Sequence, residues 1–188
     1  LVFEWLEKSV KTADPEAREK MHNASTMAGM AFANAFLGMS HSMAHKIGGV
    51  HHTIHGRTNA ILLPYVIRYN GTRPSKTTTW PKYNYWKADE KFQDIAKMLG
   101  LPHSTPEEAV EAYAKAVYEL GVAVGIKMNF KDQGIDEKAW KDSLHEIALL
   151  AYEDQCSPAN PRLPMVADME EIMADAYYGY AERPGRRK

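Results

Sequence analysis

Ala24-Ser-Thr-Met-Ala-Gly-Met-Ala-Phe-Ala-Asn-Ala-Phe-Leu-Gly38 is apolar around its whole circumference when wound as a helix, and it is rich in small residues. A helix with no polar face fits enclosure by neighbours better than a place on a surface. The segment therefore predicts the core helix of an all-α, multi-helix bundle. Helix signals continue on both sides of it. Residues 1–12 are amphipathic and stop at Ala13-Asp14-Pro15, where Asp14 can cap the next helix and Pro15 suits its first position. One long helix is expected from residue 15 to about 36. Gly38 separates it from a short helix over residues 39–47 that Gly48-Gly49 should end. A further helix is expected over residues 56–69, bent at Pro64. Residues 70–85 carry turn formers without periodicity and read as a long surface loop. Residues 86–99 are helical up to Gly100, and Thr105-Pro-Glu-Glu108 is a capping box that opens a helix to about residue 121. Asp136 should cap a helix through residue 152, and residues 166–178 form the last one, before Gly179. Strand signals are nearly absent. Helical structure is expected over residues 1–181 as one domain, followed by a frayed basic tail at 182–188.

With 188 residues, 45% of them hydrophobic, the chain can bury one sizeable core. The 23 Lys and Arg balance 24 Asp and Glu, so global charge favours neither nucleic acid nor an anionic membrane as partner. The single cysteine, Cys156, excludes an internal disulfide framework and fits a reducing, cytoplasmic setting. The longest apolar run, residues 27–39, is 13 residues, against roughly 20 needed to span a bilayer. No leader with a charged start and an apolar centre is read at the beginning. Leu1, Val2, Phe3, Trp5 and Leu6 are already in helical spacing with no cap before them, so residue 1 is expected to lie inside an element of a longer parent.

Five of the eight histidines fall within 15 residues: His41, His45, His51, His52 and His55. His41 and His45 are four apart on an expected helix and share a face, a spacing that lets two imidazoles approach one centre. The glycine pair can then return the chain so that His55 meets the same point. At a helix start, the positive end of the dipole favours the neutral imidazole a metal requires. Scattered histidines of this kind are more often solvated or ordinary core residues, but five together beside a wholly apolar helix favour a metal or catalytic site. Ser42 follows His41 where a zincin would have Glu, so no general base of that type is present. Between Glu19 and Asp89 there is no acidic residue, whereas Lys20, Lys46, Arg57, Arg68, Arg73, Lys76, Lys82 and Lys87 all lie there. A carboxylate ligand is therefore expected from elsewhere, from chain upstream of residue 1. The basic surplus would suit a dinucleotide pyrophosphate, although for the 70–85 loop alone uneven surface charge explains it better.

Ala33-Asn-Ala-Phe-Leu-Gly-Met-Ser-His-Ser-Met-Ala-His-Lys-Ile-Gly48, followed by His55-Gly-Arg-Thr-Asn-Ala-Ile-Leu-Leu-Pro64, resembles the signature of the iron-containing alcohol dehydrogenase family. Ala17-Arg-Glu-Lys, Val66-Ile-Arg-Tyr-Asn70, Asp154-Gln-Cys-Ser-Pro-Ala-Asn-Pro-Arg162 and Ala176-Tyr-Tyr-Gly179 look most like the alcohol dehydrogenase half of bifunctional aldehyde-alcohol dehydrogenases. The likeness implies the C-terminal helical domain of the dehydroquinate synthase-like fold, with an N-terminal NAD-binding part absent from this chain. By motif position it implies that His41 and His55 are two of four ligands to Fe2+, with Zn2+ able to take its place, and that His45 relays a proton near the nicotinamide. It also implies an upstream Asp and His as the remaining ligands, a small alcohol or aldehyde as substrate, and a homo-oligomer. Phe32, Phe36 and Met39 would form an apolar wall. Ile54 stands where the family usually has proline, and His51 and His52 stand where an aromatic and a polar residue are common. The fragment alone is expected to be inactive and to hold metal weakly. No Gly-rich phosphate loop follows a strand.

The rival reading is a helical oligomerisation module with structural histidines, in which the methionines at 21, 27, 30, 39 and 43 support close packing. A zinc hydrolase is disfavoured, because no carboxylate lies near the cluster in sequence.

Overall fold

The computed structural model describes residues 1–74 and 86–179. Among them lie eight α-helices: α1 (Val2–Thr12), α2 (Pro15–Ala35), α3 (Met39–His51), α4 (His55–Gly71), α5 (Ala88–Met98), α6 (Pro106–Ala123), α7 (Glu137–Tyr152) and α8 (Val166–Tyr178). A single 3₁₀ turn, Ser157–Ala159, joins α7 to α8. No strand occurs among the described residues, so the all-α bundle is as expected. The starts of three helices obey their sequence signals. Asp14 accepts a hydrogen bond from Ala17 N at 2.9 Å, Thr105 Oγ1 from Glu108 N at 3.2 Å, and Asp136 from Ala139 N at 2.9 Å. The reciprocal carboxylate of Glu108 accepts from Ser104 N at 2.7 Å.

The main core lies where α3, α4, α7 and α8 meet. Met39, Met43 and Ile47 from α3, Ile61 and Leu62 from α4, Trp140 and Ile147 from α7, and Met169 and Met173 from α8 are all buried there. A stack of aromatic rings runs through it: Phe130 to Trp140 at 4.9 Å and Trp140 to Tyr177 at 5.2 Å between centroids. Phe130 N and Lys131 N donate to Ala176 O and Tyr177 O, which pins the 126–135 segment onto α8. A smaller cluster of Ile67, Val110 and Ala114, flanked by Phe92, Tyr113 and Val117, joins α5 and α6 to the outer side of α4. Gly71 permits that approach, since a Cβ there would lie 2.5 Å from a Val110 methyl.

Three expectations fail in instructive ways. The 24–38 segment is helical up to Ala35 but is not a core helix: Met27, Met30, Phe32 and Phe36 are 47–65% exposed. Among the described residues α2 packs chiefly on α1, and nothing here covers its second half. Helix α3 does not stop at Gly48-Gly49 but continues to His51 and ends at His52, which takes φ 53°. Each glycine costs a helix about 1 kcal/mol relative to alanine, and the docking of His51 on Trp140, 5.2 Å between centroids, offsets part of that cost. The loop expected over 70–85 begins later, because Asn70 and Gly71 complete α4. Its remainder from residue 75, and the tail at 182–188, lie outside the described residues.

Asn160 ties the site-bearing elements together. Its buried amide accepts from Met39 N at 3.3 Å and from Asn70 Nδ2 at 3.3 Å. It donates to Asn70 Oδ1 at 2.7 Å and to Arg162 O at 2.6 Å. The start of α3, the end of α4 and the α7–α8 connection thus meet at one side chain. Gly38 makes room for it: a Cβ there would stand 2.8 Å from Asn160 Oδ1.

A candidate metal centre and its carboxylate

His41 and His45 stand one turn apart on α3, and His55 opens α4 after the short turn at residues 52–54. The fold brings all three rings together. Centroids of His41 and His55 are 5.2 Å apart, those of His45 and His55 are 5.2 Å apart and nearly parallel at 15°, and those of His41 and His45 are 6.2 Å apart. His41 is half-buried, and His45 and His55 are exposed. Burial lowers the pKa of His41 below its usual value, and the neighbouring His55 and His45 lower it further. A neutral imidazole is the form a metal ligand needs. Asn59 braces His55: its amide lies 3.1 Å from His55 Nε2, while its Oδ1 accepts from Ser40 Oγ at 2.9 Å.

His51 and His52 take no part in this cluster. His51 Nε2 lies 3.0 Å from Ser143 Oγ and its ring stacks on Trp140, so it belongs to the core. His52 is the exposed C-cap of α3. Of the expected apolar wall, Met39 is sealed in the core, whereas Phe32 and Phe36 are about half exposed. A cavity of about 380 Å3 beside the α3–α4 turn is lined by His51, His52 and Arg57 but by none of the three clustered imidazoles. The three clustered imidazoles lie on an open face instead.

The residue that the sequence did not put forward is Asp154. Its side chain, 7% exposed, reaches the cluster from 109 residues away and places Oδ2 3.2 Å from His45 Nδ1 and 2.9 Å from Lys46 Nζ. Its Oδ1 accepts from Cys156 N at 3.0 Å. Burial pushes the Asp154 carboxyl upward, but the hydrogen bonds from Cys156 N, Lys46 and His45 outweigh this and hold it well below the usual carboxylate range. This carboxylate meets His45 rather than His41 or His55, so it is distinct from the upstream ligand that the sequence leads one to expect. The signal lay in the Asp154–Arg162 stretch, whose two prolines and buried asparagine mark a rigid connection.

His45, Asp154 and Cys156 place one donor atom each within 4.8 Å of one another, spacing that could hold a cation. One feature argues against it: Lys46 already pairs with the same carboxylate oxygen at 2.9 Å. His41 and His55 fit a borderline transition metal better, because they offer imidazole nitrogen, which suits iron and zinc alike. Two such ligands leave a coordination shell incomplete.

A family model described as Fe-containing alcohol dehydrogenase family, C-terminal, matches residues 1–177. The chain is 80% identical over its whole length to an aldehyde-alcohol dehydrogenase of Streptococcus pneumoniae serotype 2, of which it spans 21%. It is 39% identical over 169 residues to the bifunctional aldehyde-alcohol dehydrogenase AdhE of Escherichia coli K12, covering 88% of this chain and 19% of that protein. Its fold is similar to the solved structure of an iron-containing alcohol dehydrogenase from Thermococcus thioreducens, with a TM-score of 0.77 and 34% identity over 95% of this chain and 42% of that one. The chain therefore spans about a fifth of the length of the bifunctional relatives it matches. Among the described residues no helix is long and apolar enough to cross a membrane.

Proposed function

The chain belongs to the iron-containing alcohol dehydrogenase family, and on that premise we propose that it is the metal-binding helical domain, residues 1–181, of an NAD-dependent enzyme that interconverts a short-chain aldehyde and a primary alcohol. His41 and His55 hold Fe2+, or Zn2+ in its place, with further ligands from another part of the polypeptide. The two cofactors supply Lewis acidity at the substrate oxygen and a hydride acceptor at the nicotinamide. This chain's own residues do the rest. His45 takes the hydroxyl proton from the alcohol and passes it to solvent, Asn59 orients the His55 ring, and the side chains behind α3 keep water from the core. The observation that carries this reading is the convergence of three imidazoles, two of them 5.2 Å apart across the α3–α4 turn, with the His41 ring half-buried.

The same reading includes a reducing, cytoplasmic setting, a small-molecule substrate and no nucleic-acid or membrane partner. It also includes homo-oligomerisation: the exposed apolar length of α2 favours a covered, assembled state. His41→Ala and His55→Ala in the full-length polypeptide test the metal assignment. Each should lower metal content, measured by elemental analysis, and reduce turnover about 100-fold or more, since the loss of one ligand opens the shell. Retention of both metal and turnover would remove the assignment.

A further inference from the structure

His45 could present either ring nitrogen to a substrate, and a histidine's tautomer is set by the partner of its other nitrogen. Here that partner is Asp154. Among the described residues, Asp154 Oδ2 is the carboxylate oxygen within reach of His45, at 3.2 Å from Nδ1. An ionised carboxylate only accepts hydrogen bonds, so Nδ1 must carry the proton and Nε2 keeps the free lone pair. The carboxylate itself cannot turn away. Lys46 grips the same oxygen at 2.9 Å, and Cys156 N holds the other at 3.0 Å. The turn that carries Asp154 is anchored in turn by Asn160 to the first residue of α3.

We infer that Asp154 is a positioning residue for proton transfer: it fixes His45 in the Nδ1–H tautomer and offsets the positive charge the ring acquires, with Lys46 holding the carboxylate in place. This inference rests on the reading of His45 as the proton relay. In the oxidative direction the substrate O–H bond breaks, its proton goes to Nε2 of His45, and the Nδ1–H bond to Asp154 stays intact. A bound nicotinamide would supply the hydride acceptor that balances this step, the alcohol losing two electrons and two hydrogens in all. The Nε2 proton then passes to water. Asp154 never becomes protonated in this sequence; its charge stays beside the ring throughout.

Asp154→Asn in the full-length, metal-loaded polypeptide is the test. Asparagine keeps an oxygen for Cys156 N but turns an amide N–H2 toward His45, which forces Nδ1 to accept and moves the ring proton to Nε2. The expected result is a fall in kcat of about 10- to 100-fold, with KM for the alcohol within about twofold and metal content by elemental analysis unchanged. Asp154→Glu should recover part of the lost kcat, because it restores an acceptor. In a His45→Ala background Asp154→Asn should slow turnover no further, as residues acting as one unit are not additive. Three results would overturn the inference: unchanged kcat in Asp154→Asn while His45→Ala is slow, metal lost in step with activity, or a double variant slower by the product of the two. Unchanged turnover in His45→Ala would instead remove the relay on which the inference rests.

Discussion

Two sets of histidines come from the same 15-residue string and meet opposite fates. His51 lies against Trp140 with a hydroxyl at its Nε2, on the side of α3 that the core covers. His41 and His45, on the same helix, look away from that core toward His55. Density of histidine in sequence is thus no guide to which rings cluster and which join the core. Position around the helix decides: residues four apart share a side, while ten residues from His41 to His51 carry the chain round to another.

The sharpest way to break this contrast is Trp140→Ala. It removes the ring on which His51, Phe130 and Tyr177 stack, and should cost about 3–5 kcal/mol in denaturant unfolding. Since Trp140 touches none of the clustered imidazoles, metal retained by the folded fraction should not change. A milder probe is His51→Ala, which loses one hydrogen bond and one stacking contact. A loss of about 1–2 kcal/mol with metal content intact is expected; metal loss equal to that of His41→Ala would erase the distinction between the two sets.

The smallest effect is a pH dependence. Burial, and then the charge of His52, lower the pKa of His51 below the ordinary histidine value. The unfolded chain therefore binds this proton more readily than the folded one, so protonation favours unfolding. The contribution is fully present above about pH 6.5 and is lost as pH falls through the depressed folded value. Thermal unfolding at pH 7.5 and pH 5.5 should show a smaller drop in Tm for His51→Gln than for the unaltered chain. His41, shifted the same way by burial and by His55 and His45, adds a similar dependence that this substitution leaves in place.

Local signals were the legible part. Caps at Asp14, Thr105 and Asp136 and the stop at Gly179 appear where side-chain chemistry places them. The pairing of His41 with His55 was also legible, because a short turn between two helices leaves the chain few ways to go. What failed depended on partners distant in sequence. An apolar, small-residue helix reads as core whatever surface covers it, and among the described residues the second half of α2 stays exposed. Gly48 and Gly49 read as a stop because propensity knows nothing of Trp140. Asp154 was invisible as a site residue because 109 residues separate it from His45, and no periodicity spans such a distance.

The amide of Asn160 has a consequence beyond tying loops together. A helix turns each successive side chain by about 100°, so its rotational phase is settled in its first turn. By accepting from Met39 N, Asn160 sets that phase two residues ahead of His41, and the missing Cβ of Gly38 lets it come close enough to do so. The direction in which the clustered rings point is therefore dialled from outside their own helix, by a side chain that never meets them.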